Sequence, residues 1–182
     1  KNATHYDINS LYTYVMLKTM PVELINRHQS GYLKFGFGLV RVLSVPKTFI
    51  LNFYQKSGPL VLFSEELKYY QKLGCRFEIL ESYEFANKIL FTKFVAHFFF
   101  VRKNSGNKLL KTNAKAILNS LYGKFATKTN RRNLLQLSLA INSYAKVEIF
   151  QYRVRSEFCY SDTDSIVYLI PLANRYISRD IG

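Results

Sequence analysis

Asp162 and Asp164 stand one residue apart in "YSDTDSIVY", Tyr160 to Tyr168, with apolar and aromatic residues on both sides. On an extended strand, positions i and i+2 share a face, and a tight turn would also hold the two side chains close. Neighbouring carboxylates repel, and one of them takes up a proton unless a cation intervenes. Hard divalent cations such as Mg²⁺ prefer oxygen ligands of this kind. The plain alternative is an Asp-rich turn with its side chains in water. Asp7, in "YDINSLY", stands where a first strand gives way to a helix. A lone Asp there is commonly a helix cap. At the end of a neighbouring strand it would instead join Asp162 and Asp164. Three acidic groups with substrate phosphates would build a two-metal site for in-line phosphoryl chemistry.

A third stretch carries the complementary charge. In "KAILNSLYGKF", Lys115, Asn119 and Tyr122 recur at spacings of four and three, which places them on one helical face. A cation, an amide and an aromatic ring in one stripe suit a triphosphate and a stacked base. The plain alternative is a solvated basic face. The whole chain is basic, with 26 Lys and Arg against 12 Asp and Glu, a formal charge of +14. Such an excess favours a polyanionic partner, nucleic acid before a membrane surface.

The elements that must position these residues follow from patterning. The chain has 182 residues, 48% hydrophobic and 21% charged, which is a globular composition with a core. No apolar run approaches the roughly 20 residues of a membrane span, and no signal-peptide pattern opens the chain. Cys75 and Cys159 form no CxxC pair, so neither zinc nor a disulfide framework is expected and a reducing compartment fits. His5, His28 and His97 show no ligand spacing. "ATHYDI" predicts a strand, and Asn9 to Met20 a helix ending before Pro21. Gly36 to Val45 predicts a strand. Ser64 to Gly74 predicts a helix with Ser64 as N-cap, followed by a strand over "RFEILESYEF". Three helices are expected at Asn87–Lys103, Lys108–Phe125 and Leu134–Arg153, with a polar turn at Asn130–Asn133 between the last two and a closing hairpin around Ser161–Ser165. Residues 22–62 give only weak patterns. The fold class is α+β, a small antiparallel sheet backed by helices.

Taken together, "DINSLY", "KAILNSLYG" and "YSDTDS" resemble motifs A, B and C of the family B DNA polymerases, in the right order. "SEELKYYQKLGCRFEILESYEF" and "GNKLLKTNAKAILNSLYGKF" resemble the protein-primed branch found in bacteriophages and linear, often mitochondrial, plasmids. The resemblance implies a polymerase palm, residues 1–90 and 131–182, with helical fingers at 91–130. It implies that Asp7 and Asp164 are the principal ligands of two Mg²⁺ ions, with Mn²⁺ as a substitute. Asp162 supports them, and the Ile8 carbonyl is a further ligand. Tyr12 is the aromatic that excludes a ribose 2′-OH. Lys115 contacts the triphosphate, with Lys103 as a second cation. Asn119 and Tyr122 shape the base-pair pocket, and Gly123 allows close approach of backbone. Tyr160, Ser161, Thr163 and Ser165 lie beside the primer. The implied partners are primer-template DNA, dNTPs and a terminal-protein primer, with no membrane and no stable oligomer; the implied compartment is the mitochondrion, or otherwise a viral or intracellular setting. One departure is Thr13, where the family usually has Pro after "SLY". No exonuclease-type acidic motif precedes Asp7, and a thumb would lie beyond Gly182. The expectation is a palm-and-fingers piece of a longer polymerase, or an inactive nucleic-acid-binding remnant.

Overall fold

A computed structural model describes residues 3–46, 58–127, 134–153, 158–178 and 181. The described residues divide into two compact units, within Lys1–Met20 plus Ile89–Gly182 and within Pro21–Lys88.

The first unit is built on a three-stranded sheet, ordered β1-β7-β6. Strand β1 is Thr4–Asp7, β6 is Phe158–Asp162 and β7 is Ser165–Tyr168. Both pairings are antiparallel, so the first strand lies against the closing hairpin. Period two puts Ile166 and Tyr168 of β7 on the buried side. They pack with Ile149, and Tyr6, Ile8, Tyr152, Phe158 and Leu172 surround them. Burying each such aliphatic or aromatic side chain stabilises by about 1.5–3 kcal/mol. Tyr168 is wholly buried, and its hydroxyl is satisfied by donating to the Tyr152 carbonyl at 2.6 Å.

Four helices complete this unit: α1 (Leu11–Val15), α3 (Thr92–Asn104), α4 (Lys108–Lys124) and α5 (Leu135–Arg153). The start of α4 is set by Asn107, whose side-chain oxygen accepts from the N–H groups of Leu109 at 2.8 Å and Leu110 at 3.4 Å. Along α5, Leu137, Ala140, Ile141, Tyr144 and Ala145 are buried at helical spacing. The Tyr144 hydroxyl donates to the Thr19 carbonyl at 2.9 Å, and Lys18 pairs with Glu148.

The second unit is a four-stranded sheet, ordered β2-β5-β3-β4, with helix α2. Its elements are β2 (Met20–His28), β3 (Gly36–Ser44), β4 (Leu60–Phe63), α2 (Ser64–Lys72) and β5 (Arg76–Lys88). Gly36 has φ 145°, and an added Cβ would come within 2.0 Å of the Tyr83 carbonyl oxygen, so glycine is required there.

Several expectations change. The helix expected over Asn9–Met20 is only Leu11–Val15, and Met20 opens β2. Pro21 sits inside that strand, which is tolerated because β2 lies at the sheet edge. Ser64 is not the N-cap of α2. Phe63 holds that position, and buried Ser64 accepts from the Gly36 N–H at 3.3 Å. Strand β5 runs on to Lys88, so α3 starts at Thr92 rather than Asn87. The turn expected at 130–133 lies outside the described residues. No helix of the structure is long and apolar enough to cross a membrane, among the described residues.

Candidate active site

Register brings the acidic residues to one end of the β1-β7-β6 sheet. Asp7 lies opposite Ser165, and Ser165 lies opposite Asp162. Directly opposed residues share a face, so Asp7, Ser165 and Asp162 form a row across it. Asp164 follows in the two-residue turn of the hairpin, and its carbonyl accepts from the Ile8 N–H at 2.8 Å. That bond ties the chain leaving β1 to the turn. The Ile8 carbonyl accepts no hydrogen bond among the described residues.

The turn is strained. Thr163 has φ 49°, a left-handed conformation costing a non-glycine residue about 1–2 kcal/mol. A two-residue hairpin loop demands such a φ. The Thr163 hydroxyl donates to Asp162 Oδ1 at 3.1 Å, and the Ser165 hydroxyl to the Asp162 carbonyl at 3.0 Å.

The Asp7 carboxyl is held above its ordinary value by burial first, then by repulsion from Asp164; His5 and Lys115 act in the opposite direction. Lys115 of α4 therefore lies within electrostatic reach of Asp7 on β1. Tyr12 joins the same cluster. Its ring stacks on Tyr122 with centroids 4.2 Å apart and planes 5° from parallel. Burial raises the Tyr12 phenol first, followed by the charge of Tyr122, a hydrogen bond to it, and Asp164. Asp7 is thus coupled to Asp164 and Lys115, and Tyr12 to Tyr122 and Asp164, which links three separate stretches of chain.

Two carboxylates that repel each other, as Asp7 and Asp164 do, are donors of the kind a hard divalent cation would take. The repulsion that raises the Asp7 carboxyl is what a bound cation would reverse. Among the described residues no group of three or more His, Cys, Asp or Glu side chains gathers to hold a metal. Asp162 shares the row, is exposed as Asp7 is, and takes the Thr163 hydroxyl.

The remaining expected residues are placed around this cluster. Asn119 is exposed on α4. Lys103 is exposed in the last turn of α3, joined by no hydrogen bond or ion pair to the cluster among the described residues. A Cβ added at Gly123 would meet nothing within 4 Å, so no packing inside the chain calls for glycine there. Tyr160 on β6 is 59% exposed, with Ser161 half-buried beside it. Both cysteines are free thiols, Cys75 buried and Cys159 exposed. Sequence reasoning missed Arg102, whose Nη1 donates to the Ser10 hydroxyl at 2.7 Å in the loop after Asp7 and Ile8. A signal was present: no Asp or Glu lies between Glu84 and Glu148, so cations in that interval lack local carboxylate partners.

The family model described as DNA polymerase type B, organellar and viral, matches residues 1–138. The chain is similar to a probable DNA polymerase of Agaricus bitorquis, 32% identical over 148 residues, which covers 70% of this chain and 19% of that protein. It is similar also to a probable DNA polymerase of Podospora anserina, 30% identical over 202 aligned residues, covering 100% of this chain and 16% of that protein. Phi29 DNA polymerase in an orthorhombic crystal form shares the fold, with a TM-score of 0.79 at 19% identity over 97% of this chain and 40% of that one. The same polymerase complexed with primer-template DNA and incoming nucleotide substrates gives 0.77 at 19% identity, over 94% and 39%. The chain spans less than a fifth of the two curated relatives.

Proposed function

The chain belongs to the type B DNA polymerases of organelles and viruses, and from that premise we propose that it carries the nucleotidyl-transfer site of a template-directed, protein-primed DNA polymerase. The observation that carries this reading is the cluster of Asp7, Asp164, Tyr12, Lys115 and Tyr122 at one end of the sheet. Strands β1, β6 and β7 with α5 are the palm, and α3 with α4 the fingers.

Asp7 and Asp164 hold Mg²⁺ or Mn²⁺ with the Ile8 carbonyl, and Asp162 supports them from the same face. Bound divalent ions supply activation of a primer 3′-OH, or of a terminal-protein hydroxyl, and neutralise charge on the departing pyrophosphate. Lys115 faces the triphosphate and adds a charge-assisted contact. Lys103, at the end of α3, is a second cation for it. Tyr12, held flat against Tyr122, forms the floor of the sugar site and leaves no room for a 2′-OH. Asn119 and Gly123 line the base-pair side, where the space beside Gly123 admits an outside group. Tyr160, Ser161, Thr163 and Ser165 lie toward the primer. Between Glu84 and Glu148 the sequence has 12 Lys and Arg and no acid, a stretch suited to the phosphate backbone of a template.

Sugar selection tests this reading. In Mn²⁺, the 182-residue chain should bind a 2′-deoxynucleoside triphosphate more tightly than its ribonucleotide counterpart. Tyr12→Val should remove that preference. Equal affinities in the native chain, or a preference that survives Tyr12→Val, would reject it.

A further inference from the structure

Ser10 closes the loop that leads from Asp7 and Ile8 into α1. Its backbone is left-handed, φ 53° and ψ 45°, a conformation that an L residue other than glycine keeps only when its surroundings fix it. Ser10 occupies the N-cap position of α1, yet its side chain makes no capping bond. The hydroxyl accepts instead from Arg102 Nη1 at 2.7 Å, 92 positions along the chain. Arg102 is half-buried on the face of α3 that also carries Val95, Phe98 and Phe99, at spacings of three, four and seven. Among the described residues it pairs with no carboxylate; its guanidinium is committed to a neutral acceptor in this loop. The loop is thus held at three points: the Ile8 N–H donates to the Asp164 carbonyl, Asn9 Nδ2 donates to the Ser178 carbonyl at 3.4 Å, and Ser10 accepts from Arg102.

We propose that Arg102 is a positioning residue that, through the Ser10 hydroxyl, fixes the Asp7–Ile8 loop in the conformation that receives a divalent cation. This rests on the reading of Asp7 and Asp164 as metal ligands. The proposal has a sign that charge alone does not give. Removing a cation near a metal site strengthens metal binding by electrostatics, whereas loosening the loop weakens it.

The test is Mn²⁺ affinity of the 182-residue chain, read from the free-ion electron paramagnetic resonance signal, with thermal unfolding run alongside. Ser10→Ala and Arg102→Ala should each weaken Mn²⁺ binding about tenfold, as loss of an outer-shell partner does. The double variant should be no weaker than either single one, because both remove the same interaction. Ser10→Asn, which keeps an acceptor oxygen for Arg102 and tolerates the left-handed backbone, should bind Mn²⁺ more tightly than Ser10→Ala does. Should Arg102→Ala fail to fold, Ser10→Ala against Ser10→Asn decides. Unchanged or tighter Mn²⁺ binding in Arg102→Ala or Ser10→Ala would overturn the proposal, as would additive losses in the double variant. Asp7→Asn separates the two readings. If it abolishes Mn²⁺ binding while Ser10→Ala does not weaken it, Arg102 has no positioning role. If Mn²⁺ binding survives Asp7→Asn, the metal site is misassigned and the role of Arg102 falls with it.

Discussion

Thr13 offers a stability test that reaches into the helix behind the site. Its side chain is fully buried in α1, and its Oγ1 has no hydrogen-bond partner among the described residues. A buried hydroxyl without a partner costs about 1–3 kcal/mol by mutational measure. Valine has nearly the same shape and similar helix propensity, so Thr13→Val removes the penalty without opening a cavity. The expected gain is about 1–2 kcal/mol. For a chain of this size each kcal/mol moves the midpoint by about 2–4 °C, which gives a rise of about 2–8 °C in Tm. Thr13→Ser is the matched control: it keeps the hydroxyl and loses a methyl group, and it should lower Tm. The assay is thermal unfolding followed by far-UV circular dichroism, at fixed pH and salt. A Tm for Thr13→Val equal to or below that of the native chain would refute the reasoning. Without Pro at 13, Tyr12 is free to take helical angles. The helix begins at Leu11, and the Tyr14 N–H bonds to the Ser10 carbonyl at 2.9 Å.

The Thr163 turn should respond to Thr163→Asn, since Asn tolerates the φ of 49° better; a gain of up to about 1 kcal/mol should appear as a Tm rise of about 2–4 °C, and an unchanged Tm would mean the turn stores no strain. Lys115→Ala should weaken triphosphate binding by about tenfold or more, as loss of a charge-assisted bond does, with little effect on affinity for duplex DNA; the opposite pattern in paired titrations would move Lys115 to the DNA path. The Asp7 carboxyl is raised, by burial and then by Asp164, so the folded chain holds that proton more tightly than the unfolded one. The stability this contributes is whole below the ordinary value of 3.8 and is lost as pH rises through the folded-state value. In chelator, Asp7→Asn should therefore raise Tm at pH 7 and lose that advantage toward pH 3.8; a gain independent of pH would contradict the electrostatic origin.

The ends of the chain were the most readable part of the fold. "ATHYDI" and the Ser161–Ser165 hairpin carry strand and turn signals on their own, and the idea that Asp7 must meet Asp162 and Asp164 required them to pair, as they do. The long helices α4 and α5 were legible because a helical period over many residues leaves little ambiguity. The passage from α1 to β2 was not. Leu11, Tyr14 and Val15 fit a helix, and a proline ahead reads as its terminator. Only the edge position of β2, a tertiary fact, lets Pro21 sit in a strand. Ser64 looked like a cap from its neighbours, whereas its hydroxyl serves a backbone N–H from β3. Within the site, residue identities were legible and orientations were not. Nothing in "SDTDS" says that Asp164 is the near neighbour of Asp7 while Asp162 takes the Thr163 hydroxyl. The bond from Arg102 to Ser10 depends on how α3 packs, which local pattern does not encode.

The central claim, that Asp7 and Asp164 together hold a catalytic divalent cation, is tested most directly by thermal unfolding of the native chain and Asp7→Asn, each in chelator and in Mn²⁺. Saturating Mn²⁺ at about 100 times its Kd should stabilise the native chain by about 2.7 kcal/mol. In chelator at pH 7 the variant should be slightly the more stable, because a carboxylate disfavoured by desolvation and then by Asp164 has been removed; Asp7 is exposed, so the gain is small. In Mn²⁺ the order should invert, since the variant has lost a ligand and gains little from the ion. A variant that keeps the full Mn²⁺ gain, with no inversion, would contradict the account.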